Sequence, residues 1–171
     1  SHMPRYLRDA LISTTLSCAA LLAPTAQAMA QDALGARLEG FDYPYDVHIF
    51  PVRWQGATEE MAFMDLAPTG EANGRTAVLL HGKNFCSATW EGTIHHLSDA
   101  GWRVVAPDQI GFCKSSKSEG YQYSFDQLAA NTEALLASLG IDRATVIGHS
   151  MGGMLAARFA VQYPDRTEQL V

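Results

Sequence analysis

The sequence predicts an α/β fold with a mostly parallel sheet between helices, on three observations. Short continuous apolar runs recur at Thr76–Leu80, Arg103–Asp108 and Ala144–Ile147, as expected of strands buried on both faces. Segments with helical apolar spacing separate them, and a parallel sheet needs such crossovers. The last run enters Gly148-His149-Ser150-Met151-Gly152, whose two glycines let the chain turn sharply from strand to helix.

The length of 171 residues suffices for one domain with a sizeable core. Nearly half the residues are hydrophobic, no internal repeat is visible, and the formal net charge is −6. That balance argues against nucleic acid or an anionic membrane as partner and leaves a small molecule as the expected ligand.

The N-terminus reads as a separate object. Residues 1–2, Ser1-His2, precede Met3 like a tag remnant. Residues 3–30 have the three regions of a secretory signal peptide. Arg5 and Arg8 make a basic start, Ala10 to Leu22 an apolar run, and Ala26-Gln27-Ala28 or Ala28-Met29-Ala30 a cleavage frame. The apolar run is short for a membrane span, which needs about 20 residues. An amphipathic helix packed on the domain is the alternative. Leu16-Ser17-Cys18 is a poor lipoprotein site, so the expectation is a periplasmic or secreted protein with no stable membrane association after cleavage. Residues 31–44 then read as a linker, and residues 45–171 as the domain. Cleavage leaves Cys86 and Cys113, an even pair that invites a disulfide in an oxidising compartment; two free thiols are the alternative.

Within the domain, Tyr45–Phe50 alternates loosely as a first strand ended by Pro51, and Thr58–Leu66 reads as its hairpin partner across Gly56. His48 falls on the polar side of that strand. Thr76–Leu80 is the next strand, followed by the loop His81-Gly82-Lys83-Asn84-Phe85. Trp90 to Asp99 places Trp90, Ile94 and Leu97 at helical spacing before Gly101. Arg103–Asp108 is a strand, followed by a loop to Gly120. Ser124 and Gln127 form a capping-box pair ahead of a helix whose stripe is Phe125, Leu128, Thr132, Leu135, Leu136 and Leu139, closed by Gly140. Ala144–Ile147 is the strand into the turn. Met151–Tyr163 is the helix out of it, burying Leu155, Ala156, Phe159 and Ala160, and Glu168–Val171 opens a further strand. Ligands of such sheets bind at the carboxyl ends of the parallel strands, where the loops after His81, Asp108 and Gly148 gather.

Those three loops, His81-Gly82, Asp108-Gln109-Ile110-Gly111-Phe112 and Gly148-His149-Ser150-Met151-Gly152, resemble in order and spacing the α/β-hydrolase fold superfamily. The likeness covers about Tyr45 to Val171 and is closest to the branch of single-domain esterase-like and carbon–carbon-bond hydrolases. It implies an antiparallel first strand pair ahead of the parallel strands. It implies Ser150 as nucleophile on a strained elbow. The backbone N–H groups of Met151 and Lys83 would hold the oxyanion, each such donor being worth about 10²–10³ in turnover. His81 and Gly82 would support the oxyanion loop, while Gly148, His149 and Gly152 would support the elbow. Lys83's side chain is either solvated or placed to meet a substrate carboxylate, and Asn84 is a further loop residue that could line the pocket. No metal-ligand spacing or phosphate-binding motif is present, so no metal and no cofactor are expected.

The sequence departs from the family pattern twice. Relatives often carry Gly-x-Gly-x-Ser after the strand-end Asp, whereas here Cys113 stands at the second glycine. In the family, an acid and then a histidine follow the serine in chain order, and no residue up to Val171 matches either. The expectation is therefore a serine hydrolase for a small ester or related carbonyl substrate, working through an acyl-enzyme. This chain would be its N-terminal part, inactive alone, with the last strands missing and the sheet edge unpaired at the elbow strand. Epoxide hydrolases and dehalogenases carry Asp where Ser150 stands. A non-catalytic binding protein on the same scaffold, or a half-domain needing a separate C-terminal segment, is the alternative.

Overall fold

The computed structural model describes residues 35–54, 56–120 and 122–171. The expected tag remnant and signal peptide, residues 1–2 and 3–30, and the start of the expected linker lie outside the described residues. Six strands are β1 (His48–Trp54), β2 (Ala57–Leu66), β3 (Thr76–Leu80), β4 (Arg103–Pro107), β5 (Ala144–Gly148) and β6 (Thr167–Leu170). The α-helices are α1 (Glu91–Asp99), α2 (Phe125–Ser138) and α3 (Met151–Gln162). Short 3₁₀ turns at Ser87–Trp90 and Pro164–Arg166 lead into α1 and β6.

The strands form one sheet in the order β1-β2-β4-β3-β5-β6. β1 and β2 pair antiparallel, as do β2 and β4. β3 pairs parallel with β4 on one side and with β5 on the other, and β5 pairs parallel with β6. Alternation along β3 sorts the core into two layers. Val78 and Leu80 face one side with Val105, Val146 and the stripes of α2 and α3, namely Leu128, Leu135, Leu136, Leu155, Ala156 and Phe159. Ala77 and Leu79 face the other side with Val104, Ala106, Met64 and Ile94 of α1. Each large apolar side chain buried this way contributes about 1.5–3 kcal/mol, which is why the continuous apolar runs become central strands.

Ser124 caps α2 by accepting a hydrogen bond from Gln127 N at 3.1 Å. The box is only half closed: among the described residues no bond runs from Ser124 N–H back to the Gln127 side chain, whose Nε2 donates to Asn131 Oδ1 at 2.7 Å.

Three expectations are corrected. Pro51 does not end the first strand. β1 runs on to Trp54 with Pro51 opposite Glu60, because β1 is the edge strand and an edge tolerates a residue without an N–H. The elbow strand is not the sheet edge, since β6 pairs along β5 at Ala144, Thr145 and Val146. The described part of the expected linker belongs to the domain. Tyr43 packs against the second core layer, as Tyr45 and Val47 of the expected domain also do, and Arg37 Nε donates to Lys114 O at 2.9 Å.

Candidate active site

Between the end of β5 and the first residue of α3 stand only His149 and Ser150, and the turn is held by backbone. Ser150 has φ 57° and ψ −118°. A non-glycine residue in that region is strained by about 1–3 kcal/mol and persists only where its surroundings over-determine it. Here they do. A Cβ on Gly148 would lie 2.1 Å from Gly152 O, and a Cβ on Gly152 would lie 2.0 Å from Leu80 O. The helix start is thus pressed against the end of β3, where His149 N also donates to Leu80 O at 3.2 Å. Ser150 occupies the N-cap position of α3 yet makes no side-chain cap bond. Its residue is exposed, and its hydroxyl has no hydrogen-bond partner among the described residues. The first amide of the helix, Met151 N–H, is likewise without a partner there.

The loop after β3 abuts this turn. Phe85 N donates to Gly82 O at 3.1 Å, and the Phe85 ring meets the His149 ring edge-on at 5.6 Å. Gly82 sits tightly, since a Cβ there would lie 3.3 Å from His149 O. Lys83 and Asn84 are exposed, and Lys83 N–H has no partner among the described residues.

His81 is buried beneath this loop with both ring nitrogens in use. Gln109 N–H donates to Nε2 at 2.9 Å, so Nε2 carries no proton and Nδ1–H donates to Gly82 O at 2.8 Å. Burial holds the imidazole below its ordinary range, outweighing the opposite pull of the Gly82 carbonyl and the Asp108 charge. A neutral ring with its acceptor lone pair occupied cannot take a proton from Ser150. Its work is to aim the Gly82 carbonyl and so fix the loop.

Asp108 ties the next loop to the first. It is fully buried, and its Oδ1 accepts from Ser87 N at 2.8 Å. Its Oδ2 accepts from Tyr43 OH at 2.6 Å and from Lys114 N at 3.1 Å. Burial, followed by the Asp108 charge, pushes the Tyr43 phenol far above its ordinary range, so it remains a donor. Cys86 and Cys113 are joined by a disulfide with their Cα atoms 5.9 Å apart. Cys113 adopts φ 51°, the left-handed conformation that glycine supplies without strain. The cysteine that replaces the family's glycine thus keeps a glycine-like backbone.

A cavity of about 330 Å³ opens beside the elbow, lined by Gly111, Phe112, Tyr123, Phe125, Leu128 and Met151 with Ser124. It is mainly apolar, of the size that small-molecule sites have. A second of about 250 Å³ lies across the β3 loop, between His149, Phe85 and Trp90. The remaining described histidines stand elsewhere. His48 is exposed on β1, and His95 and His96 are exposed on α1, where His95 faces Asp99 at 3.2 Å. No hydrogen bond joins any of them to Ser150 among the described residues. Nor do three or more metal-ligating side chains cluster there.

Sequence reasoning missed Tyr43, whose contact with Asp108 spans 65 positions and carries no local signal. It also left unassigned the acceptor roles of Asp108, although a carboxylate directly after a strand of the parallel sheet was visible in the sequence.

A serine on a sharp strand-to-helix turn, at the carboxyl edge of a 1-2-4-3-5-6 sheet, defines a class of α/β proteins built around a strand–elbow–helix unit. The chain belongs to the alpha/beta hydrolase fold family, whose sequence pattern matches residues 77–171. Its fold is similar to the crystal structure of a probable hydrolytic enzyme from Pseudomonas aeruginosa PAO1, with 63% identity and a TM-score of 0.77, covering 78% of this chain and 43% of that one. It resembles epoxide hydrolase A of Mycobacterium thermoresistibile at 30% identity and a TM-score of 0.62, over 73% of this chain and 38% of that one. In sequence it is 34% identical over 101 residues to a 2-hydroxy-6-oxo-2,4-heptadienoate hydrolase of Pseudomonas putida, 57% of this chain and 36% of that protein. The chain spans somewhat over a third of the length of these curated relatives. The names of these relatives share hydrolysis, for the first as a probable activity, and differ in the compounds they name.

Proposed function

We propose that the whole protein is a serine hydrolase of a small ester or related carbonyl substrate, with Ser150 as nucleophile. The observation that carries this is the strained φ of 57° at Ser150, with its hydroxyl left unused as a helix cap. Ser150 Oγ would attack the substrate carbonyl carbon and lose its proton to a base. The oxygen that becomes negative would accept from the free N–H groups of Met151 and Lys83, with the positive end of α3 behind it. Collapse expels the alcohol or carbon leaving group, which takes the proton from the base, and leaves an acyl-enzyme. The base then takes a proton from water, which attacks the acyl carbon and releases the acid as the proton returns to Ser150 Oγ.

The likeness to an epoxide hydrolase favours a different nucleophile, since that group places an aspartate at the elbow. Ser150 argues for acyl chemistry instead. The resemblance of the three loops to the branch of esterase-like and carbon–carbon-bond hydrolases keeps a carbon leaving group within the reading. The base is proposed to be a histidine of the whole protein beyond this chain, because His81 has no free acceptor. Residues 1–171 alone would then retain only what the oxyanion donors and binding supply, a loss of several orders of magnitude. Residues 3–30 support export to the periplasm or medium.

A fluorophosphonate probe tests the reading. The full-length protein should label at Ser150, and Ser150→Ala should abolish labelling while leaving thermal unfolding unchanged. A well-folded full-length protein that does not label would support a non-catalytic binding role instead.

A further inference from the structure

The loop that carries Lys83 is fastened to the loop after β4 at two adjacent points. Cys86 is bonded to Cys113, and the next residues, Ser87 and Lys114, both donate their backbone N–H to the one Asp108 carboxylate, at 2.8 and 3.1 Å. One fastening is covalent and the other electrostatic, and both lie three to four residues from the Lys83 amide. The remaining supports of that loop are weaker: the turn bond from Phe85 to Gly82, the ring contact with His149 and the aim of the Gly82 carbonyl from His81. On the far side, Cys113 is held at φ 51° without being glycine, a conformation that the bond to Cys86 helps to maintain. Both cysteines are half-buried, within reach of a small reagent.

We propose that the Cys86–Cys113 disulfide, seconded by Asp108, positions the Lys83 amide, so that hydrolysis by the whole protein depends on the redox state of this bridge. The proposal rests on the reading of Ser150 and Lys83 given above. Cys86, Cys113 and Asp108 are positioning residues, since none touches substrate. A dithiol reagent opens the bridge by thiolate attack on one sulfur. The resulting mixed disulfide closes on the reagent's second thiol, leaving two protein thiols and one cyclic disulfide, with two electrons and two protons passed to the protein. The freed Cys113 turn can then leave φ 51°, and the Cys86–Ser87 part of the loop is held only through the Asp108 carboxylate, while the Gln109 N–H bond to His81 Nε2 still joins the loops at their start. A misplacement of about 1 Å in such a site lowers turnover by up to about 100-fold.

The test uses the full-length protein and a neutral aryl ester, with kcat and KM measured before and after reduction by a dithiol. Alkylation followed by intact mass reports the state of the bridge. The expected result is a fall in kcat of about tenfold or more, with KM within twofold. Hydrogen exchange should show peptides spanning residues 82–87 losing protection while α3 keeps its own. Cys86→Ser with Cys113→Ser should match the reduced protein and no longer respond to the dithiol. Unchanged kcat and unchanged exchange in fully reduced protein would overturn the proposal. So would loss of near-UV circular dichroism in step with kcat, because the bridge would then hold the fold rather than the loop. Exchange that changes as expected without Ser150-dependent turnover in the oxidised protein would retain the positioning and refute the hydrolase reading.

Discussion

Gly152→Ala adds one methyl group where the helix start and the central strand touch. Its Cβ would lie 2.0 Å from Leu80 O, 2.6 Å from Leu80 C and 2.7 Å from His81 O, whereas real Cβ contacts essentially never fall below 3.0 Å. All three neighbours are backbone, and β3 is paired on both sides, so no side chain can swing away. Relief requires the start of α3 to move off β3 by about an ångström. Overpacking a core typically costs about 1–3 kcal/mol, and an immovable backbone places this case at the upper end. A loss of about 3 kcal/mol lowers Tm by about 6 °C, the lower end of the scaling for domains of 150–250 residues, because the shift per kcal/mol shrinks as the chain lengthens. The same shift carries the Met151 amide away from the Lys83 loop, so fluorophosphonate labelling of the folded variant should slow by about tenfold or more. Gly153 supplies the control. A Cβ there meets nothing closer than 3.7 Å, so Gly153→Ala adds only helix propensity, up to about 1 kcal/mol of stabilisation. Thermal unfolding by circular dichroism and labelling rates on the full-length proteins decide it. Wild-type Tm and labelling in Gly152→Ala, or an equal fall in Gly153→Ala, would refute the packing argument.

Two further outcomes follow from buried polar groups. Tyr43→Phe removes a charge-assisted donor at 2.6 Å from Asp108, which should destabilise by about 1.5–3 kcal/mol, measured by urea unfolding; no change would return residues 35–44 to the status of a linker. His81 is held below its ordinary 6.5 by burial, so the unfolded chain takes up the proton first as pH falls. Its contribution is complete above about pH 6.5 and is lost on acidification, by at most about 1.4 kcal/mol per pH unit until the folded ring itself titrates. His81→Gln should therefore be less stable at neutral pH but flatter between pH 7 and 5, and an unchanged slope would show that His81 does not drive the acid loss.

Much of this architecture was legible because it is written locally. The apolar runs 76–80, 103–107 and 144–148 each report burial on two faces, and Ser124 with Gln127 reports a helix start. The glycines at 148 and 152 announced a turn in which no Cβ fits. Where local reading failed, the deciding fact was a neighbour. Pro51 ends a strand only if its missing N–H faces a partner, and the edge position of β1 removes that requirement. Residues 35–44 look like a linker by composition and become part of the domain through Tyr43, because a buried carboxylate needs donors from wherever the chain can bring them. By itself, then, the sequence determined the parallel sheet, its carboxyl edge and the serine on the elbow, since strand burial and backbone clearance depend on a few consecutive residues. Only the tertiary structure decided that His81 is spent on Gly82 and Gln109, that Asp108 and the Cys86–Cys113 bridge fasten two loops, and that Cys113 keeps a glycine's backbone. Those facts are contacts between segments distant in sequence, and they exist only once the sheet has brought the segments to one edge.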